Sequence, residues 1–429
     1  MVGLVLGALG LFGLGATMAG ALLALQALFL LYFLRHLGFA VAASMTATRD
    51  EHAPPVDDFG GDAPTVSVVA ACKNEALVAG GLVASLANLE YPAGRVEFIL
   101  VDDGSTDRTA DLLERHVGAD HRFRVVRRPE GAGGGKSGAL NDALGVAGGE
   151  IIVVFDADHQ PRPDVLVRLV RHFADPEVAA VQGRCEVTNG HDALITRVLA
   201  IDYLAGYYVN EYGRQSLFSL PAYGGANCAV RADTLRAVGG WNPTTVTEDT
   251  DLTLRLLLDG HRVRYDVTAV DEEQGVTTLH RYWDQRYRWA RGHQQACRDY
   301  LRPTWRSPHL SFAEKLETTM FLFSFHLPVL SAFGLIGLAV WFGGADVPFD
   351  PAGVFVLWTL LFLGPLLEVG TGLVLAGAPR REALVTPFFV MLFAVSVAVC
   401  TKAWVDAVLG RSYRWVKTPR SARQPVATS

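Results

Sequence analysis

Three short acidic motifs and two basic ones carry the groups best suited to chemistry in this 429-residue chain. Asp102 and Asp103 stand in Val101-Asp102-Asp103-Gly104-Ser105-Thr106-Asp107, directly after an apolar run. In open α/β sheets, ligands bind outside the carboxyl ends of the strands, and adjacent acids there accept hydrogen bonds from a base or a ribose. The same residues also make an ordinary turn, with Asp-Gly bending the chain and Ser105 or Thr106 capping the next helix. Asp156-Ala157-Asp158 follows the apolar run Ile-Ile-Val-Val-Phe. Two carboxylates on one side of such a turn can hold a hard divalent cation, which keeps water and bridges substrate phosphates; solvated turn acids are the competing reading. Thr247-Glu248-Asp249 opens a leucine-rich helical run. Acids suit a helix N-terminus for its dipole alone, and a carboxylate there can also take the proton of an attacking hydroxyl.

The basic motifs are equally two-sided. Gly133-Gly134-Gly135-Lys136-Ser137 looks like a phosphate-binding loop, but the required first glycine would fall at Glu130, so that pattern fails. Lys136 can still meet a diphosphate as a point charge, or the segment is a flexible loop with a solvated lysine. Gln285-Arg286-Tyr287-Arg288-Trp289 offers a fork of donors for phosphate oxygens and an indole face for a sugar ring. A basic helix in a membrane interface has the same composition.

The elements that must position these groups read as an α/β block between apolar ends. Short β-branched runs at 65–71, 96–101, 122–126 and 151–155, with helical spacing at 79–89, 139–146 and 164–173, predict a mostly parallel sheet. Half of the residues are hydrophobic, and they are unevenly spread: Val2 to Leu34 has no charge, and further apolar stretches lie at 319–342, 352–378 and 384–401. Each approaches the roughly 20 residues that span a bilayer core. The first lacks a basic leader and is too long for a signal peptide, so one long membrane helix is expected, with two as the alternative. A formal charge of −6 excludes the basic surface of a nucleic-acid binder. Five scattered cysteines without a C-x-x-C pair imply neither a disulfide framework nor a zinc site and suit a reducing, cytoplasmic setting.

Taken in order, Asp-Asp-Gly after the second strand, D-x-D after the fourth, Thr-Glu-Asp before a helix and Q-x-x-R-W ahead of membrane helices resemble the processive family-2 inverting glycosyltransferases, the cellulose, hyaluronan and poly-N-acetylglucosamine synthases. The resemblance implies a GT-A fold, a UDP-sugar donor (UDP-N-acetylglucosamine or UDP-glucose), a polysaccharide acceptor, and Mg²⁺ or Mn²⁺. It assigns Asp103, Asp156, Lys136 and Arg288 to the donor nucleotide, Asp158 to the metal and Asp249 to the catalytic base. Trp289, Gln285 and Glu248 would contact the acceptor, and Trp415, Lys417, Thr418 and Arg420 resemble a cytoplasmic gating loop. The loop Tyr223–Cys228, where relatives line the acceptor site, matches neither the cellulose nor the hyaluronan versions.

The expected organisation is a transmembrane segment at 1–45, a linker at 46–64 and a cytoplasmic catalytic domain at 65–303 ending in interfacial helices. A membrane region at 304–410 and a cytoplasmic tail at 411–429 follow, as a multi-pass protein of a bacterial-type plasma membrane; partner subunits are left open. The basic tail falls on the wrong side if all three late apolar stretches cross, so one of the last two is expected to be interfacial or re-entrant. Two other readings stand beside polymerisation. One is a membrane glycosyltransferase adding a single sugar to a lipid. The other is a transport component built around the intramembrane acid Glu368.

Overall fold

The computed structural model describes residues 2–46, 63–92, 94–342 and 351–411. The gating-loop residues Trp415, Lys417, Thr418 and Arg420 and most of the linker lie outside the described residues. The strands are β1 (Val66–Cys72), β2 (Val96–Asp102), β3 (Phe123–Arg127), β4 (Ile151–Asp156), β5 (Gln160–Pro161), β6 (Val178–Val187), β7 (Cys228–Arg231) and β8 (Arg262–Glu273). The helices of the central block are α2 (Ala79–Ala87), α3 (Thr109–Val117), α4 (Gly135–Val146), α5 (Val165–Val170), α6 (Leu194–Ala205), α7 (Tyr212–Phe218), α8 (Ala232–Ala237) and α9 (Glu248–Leu258). They are preceded by α1 (Val2–Thr46) and followed by α10 (Leu279–Arg306), α11 (Phe312–Phe323), α12 (Leu327–Phe342), α13 (Pro351–Leu375) and α14 (Phe388–Val408).

The eight strands form one sheet in the order β3-β2-β1-β4-β7-β6-β8-β5. Strands β3, β2, β1 and β4 are parallel neighbours, as are β6 and β8, whereas β7 runs antiparallel between β4 and β6. The central strands are near-continuous apolar runs because both faces are covered. Val68, Phe98, Val153 and Phe155 pack under α2, α3 and α5, while Val69, Ile99, Ile152 and Val154 pack under α4, α8 and α9. Parallel register then aligns the strand ends: Cys72 pairs with Asp102, and Ala71 with Asp156. Two of the acidic motifs therefore share one edge of the sheet.

Among the described residues two helical stretches are long and apolar enough to cross a membrane, Leu23–Met45 and Phe388–Val408. The apolar stretch expected at 319–342 is instead divided between α11 and α12, which meet at a 57° bend. Pro328 is accommodated in the first turn of α12, where its missing N–H costs nothing, but it cannot continue the helix behind it. Thr359–Leu375 of α13 is a shorter apolar helix.

Helix α1 is fastened to the central block, α11 and α13 by polar contacts at its buried face. Arg35 donates from Nε and Nη2 to the Glu317 carboxylate at 2.8 and 2.7 Å, and Arg214 of α7 approaches the same carboxylate at 3.2 Å. Gly213 has no side chain, which lets the ring of Phe39 lie against α7. His36 pairs with Glu368 of α13 at 2.7 Å, and Gly364 leaves room for that imidazole. Arg214 and Glu317 are each 1% exposed as side chains. Deleting the shared carboxylate would strand two guanidiniums in a buried site. Glu317→Ala is therefore expected to cost about 3–5 kcal/mol of stability. Thermal unfolding of the detergent-solubilised protein, followed by tryptophan fluorescence, checks this; an unchanged midpoint would show that the carboxylate is dispensable.

Candidate active site

The Asp-Asp-Gly turn divides its two acids between structure and site. Asp102 accepts the Ser105 N–H at 3.2 Å, which is the turn-forming role. Asp103, 8% exposed, is ion-paired with Arg128 and lies 3.7 Å from Lys73 Nζ, which also donates to its backbone carbonyl at 2.5 Å. Arg128 is fixed in turn by Asp142 at 2.6 Å and by the Gly133 carbonyl at 2.9 Å. Gly104 has φ +63°, and a side chain there would strike Pro129 O at 2.7 Å. Neither Lys73 nor Arg128 was singled out from sequence, because no local motif marks a partner that arrives from another strand.

The D-x-D turn at the end of β4 meets Lys136 directly. Its Nζ lies 2.7 Å from Asp156 Oδ1 and 3.4 Å from Glu248 Oε1, and donates to Gly225 O at 3.0 Å. Gly133, Gly134 and Gly135 all take positive φ, so the glycine run turns the chain sharply into α4 and delivers Lys136 from its first turn. Burial opposes the lysine's charge, but Asp156 and Glu248 outweigh it and hold the ammonium above its ordinary pKa. Asp158 is 4% exposed, deep in the same turn.

The residues after β4 fit a hard divalent cation. Asp156 and Asp158 supply carboxylate oxygens from one turn, the donor type preferred by Mg²⁺ and Mn²⁺. His159, next in sequence, is not available as a ligand. Its Nδ1 is hydrogen-bonded to Asp271, and its Nε2 lies 3.1 Å from Glu273. Cys185 completes a buried group with His159 and Asp271 whose ligand atoms fall within 4.8 Å of one another. The direct histidine–carboxylate contact leaves no space for an ion between them. This group ties the D-x-D turn to β8.

The Thr-Glu-Asp motif lies at the start of α9, where Glu248 comes within 3.4 Å of Lys136 Nζ. Asp249 Oδ1 accepts the Thr250 N–H at 2.6 Å and the Thr250 hydroxyl at 3.2 Å. Its other oxygen faces Gly225, where an added Cβ would come within 3.3 Å of Oδ2. Burial, and then the Glu248 charge, push the Asp249 carboxyl up to about 6, against the opposing pull of Thr250 and Lys136. A carboxylate poised in this range is suited to general base work near neutral pH.

The Gln285–Trp289 segment sits on α10, which packs against α14. Tyr287 donates to Asp406 at 2.8 Å, Gln294 to Cys400 O at 3.0 Å and Arg291 to Ala403 O at 3.2 Å. Arg286 is held by Asp202 at 2.6 Å and lies over the rings of Tyr282 and Trp289 at 4.9 and 4.5 Å. Arg288 forms no hydrogen bond or ion pair with the described residues, and Gln285 Oε1 is buried without a hydrogen-bond partner among them. The structure thus gathers Lys136, Asp156, Glu248 and Asp249 into one cluster. Asp103 engages Arg128 and Lys73 beside it, and Arg288 has no ion pair among the described residues.

Comparison with known proteins identifies the family and the fold. Residues 67–239 match the model of the glycosyl transferase family 2. The chain is 30% identical to the probable glycosyltransferase YdaM of Bacillus subtilis over 375 residues, 83% of this chain and 87% of that protein. It is 39% identical over 302 residues to the beta-monoglucosyldiacylglycerol synthase of Synechocystis, 69% of this chain and 62% of that protein, and 39% identical over 243 residues to the Nostoc protein of the same name, 57% and 52%. The chain therefore spans between half and two thirds of the length of these synthases. The mannosyltransferase PcManGT of Pyrobaculum calidifontis, solved with GDP-Man and Mn²⁺, has the same fold, with a TM-score of 0.52 at 20% identity over 90% of this chain and 100% of that one. The sheet, the site and these matches define a GT-A glycosyltransferase. The chain belongs to glycosyl transferase family 2.

A base must be ionised to accept a proton, so turnover is expected to fall about tenfold per pH unit below about pH 6. Lys136 favours the charged form of Asp249, so Lys136→Met is expected to move this acid limb to higher pH as well as weaken donor binding. A pH profile of turnover at saturating donor checks both; a limb that stays in place in the variant would detach Lys136 from the base.

Proposed function

We propose that this chain is a membrane-associated inverting glycosyltransferase that moves one glucose from UDP-glucose to the free hydroxyl of a diacylglycerol. The observation that supports the reading is the Asp249 carboxylate, with Oδ1 tied down by Thr250 and Oδ2 on the Gly225 side, beside the cluster that Lys136 forms with Asp156 and Glu248. Asp249 Oδ2 takes the proton of the acceptor hydroxyl as its oxygen attacks the anomeric carbon from the side opposite the diphosphate. The bond from that carbon to the phosphate oxygen breaks, inverting the centre, and the diphosphate leaves with the electron pair. Lys136 offsets its charge, and Arg288 is the second cation assigned to it. Asp156 and Asp158 are the residues that would hold Mg²⁺ or Mn²⁺, and the bound ion supplies further positive charge to the leaving group. Asp103, with Arg128 and Lys73, receives the nucleoside.

Single transfer to a lipid is preferred to polymerisation because the two synthases at 39% identity are named for one glucosyl unit on diacylglycerol. A poly-beta-1,6-N-acetyl-D-glucosamine synthase of Staphylococcus epidermidis also matches, at 27% identity over 57% of this chain. Two helical stretches long and apolar enough to cross a membrane support delivery of the acceptor from a bilayer. The cytoplasmic orientation of the cleft and the number of crossings belong to the same proposal.

The purified chain in lipid nanodiscs containing diacylglycerol, given UDP-[¹⁴C]glucose, is expected to yield one glucolipid species on thin-layer chromatography. A ladder of longer products, or turnover only with UDP-N-acetylglucosamine, would overturn the reading. Asp249→Asn is expected to lower turnover by about 10²–10⁴-fold while UDP binding persists, since it removes a base and not a nucleotide ligand.

A further inference from the structure

His293 has no part in the scheme above, yet it lies directly behind the base. Helix α10 reaches the Thr-Glu-Asp turn because Gly292 has no side chain: any Cβ there would collide with Thr247. The helix is also held along this contact by Tyr300, which donates to Asp251 at 2.6 Å, and by Gln295, whose Oε1 accepts the Val246 N–H at 3.4 Å. This docking brings His293 Nε2 to 3.5 Å from Thr250 Oγ1, and Thr250 Oγ1 is itself 3.2 Å from Asp249 Oδ1.

The directions of these hydrogen bonds follow from what each group can do. An ionised carboxylate only accepts, so the Thr250 hydroxyl must spend its single proton on Asp249. Its oxygen is then an acceptor towards His293, which must present Nε2 as N–H. The rest of the imidazole is arranged to stay neutral: it stacks on Phe325 at 4.4 Å, meets Phe321 edge-on at 5.4 Å, and its Nδ1 has no hydrogen-bond partner among the described residues. Burial, and then the nearby Arg214 guanidinium, push the ring's pKa down to about 4.

We infer that His293 and Thr250 are positioning residues that aim the base: the neutral imidazole fixes the Thr250 hydroxyl, the hydroxyl fixes Asp249 Oδ1, and Oδ2 is left as the oxygen that meets the acceptor. The relay holds protons in place and transfers none. It rests on the reading of Asp249 as base. The charged groups that act on Asp249 are Glu248 from its own helix and Lys136 from α4.

The test is a double-mutant cycle on the full chain in nanodiscs, with UDP-glucose and diacylglycerol. Thr250→Val and His293→Phe each remove one link while keeping shape or ring stacking. Each is expected to lower kcat about tenfold to a hundredfold, with KM for UDP-glucose changed by no more than about twofold. The double variant is expected to be no slower than Thr250→Val alone, because His293 acts through Thr250. Thr250→Ser and His293→Gln, which keep a donor, are expected to recover most of the rate. Loss of the hydroxyl's hydrogen bond also moves the acid limb of kcat to higher pH in Thr250→Val. Additive losses, losses confined to KM, or unchanged kcat in the single variants would overturn the inference. Should His293→Phe fold poorly, as thermal unfolding would report, Thr250→Val against Thr250→Ser decides the matter alone. An active Asp249→Asn enzyme would remove the base and this inference with it. An inactive Asp249→Asn beside unimpaired Thr250→Val and His293→Phe would remove this inference only.

Discussion

The cleft depends on one ammonium. Lys136 joins three stretches of chain that are distant in sequence: the end of β4 through Asp156, the start of α9 through Glu248, and the loop before β7 through Gly225 O. A cation withdrawn from water is costly unless carboxylates and carbonyls surround it, and here both kinds do. The arrangement also works in reverse. Without the lysine, Asp156, Glu248 and Asp249 would gather negative charge in one partly buried place. Glu248 opens the helix that carries Asp249, so holding Glu248 holds the proposed base. The same lysine that would meet a departing diphosphate thus assembles the opposing wall before any substrate arrives.

What could be read from the chain alone followed local rules, and what could not depended on distant partners. The parallel strands and their acidic ends were legible because apolar runs followed by Asp-Asp-Gly or Asp-x-Asp are contiguous signals. Even there, the expected helix at 139–146 starts earlier, at Gly135, because three glycines with positive φ form a turn rather than a loose loop. Arg128, Lys73, His159 and His293 carry no such signal. Each gains its role from a group on another element: Asp103, Asp271 and Glu273, or Thr250. The single-helix expectation for the N-terminus agrees with α1. The apolar stretch at 319–342 is present but bent by 57° between α11 and α12, just ahead of Pro328.

The catalytic block and the apolar helices are joined by paired charges rather than by apolar contact alone. Glu317 serves Arg35 from α1 and Arg214 from α7 together, and Arg214 lies 4.1 Å over the ring of Phe321. Phe321 also borders His293, which borders Thr250. A chain of packed groups therefore runs from an apolar N-terminal helix to the residue behind the base. Intermediacy of this kind supplies rigidity, which a base needs if its oxygen is to sit within hydrogen-bond reach of an acceptor.

The aromatic residues of α10 and α14 bear on the choice between polymer and lipid acceptors. A growing polysaccharide needs ring faces on which successive sugars can stack. Trp289, the residue expected to offer one, has the Arg286 guanidinium over its ring, and Asp202 and Tyr282 fix that arginine. Trp404 meets Phe333 edge-on, and Trp283 and Tyr287 pack into the contact between the two helices. The first pair joins α14 to α12, and Trp283 and Tyr287 join α10 to α14. A diacylglycerol makes fewer demands: one hydroxyl at Asp249 Oδ2 and an apolar surface for its tails. Arg286 covers one face of the Trp289 indole, so any sugar stacking on that ring is confined to the other face.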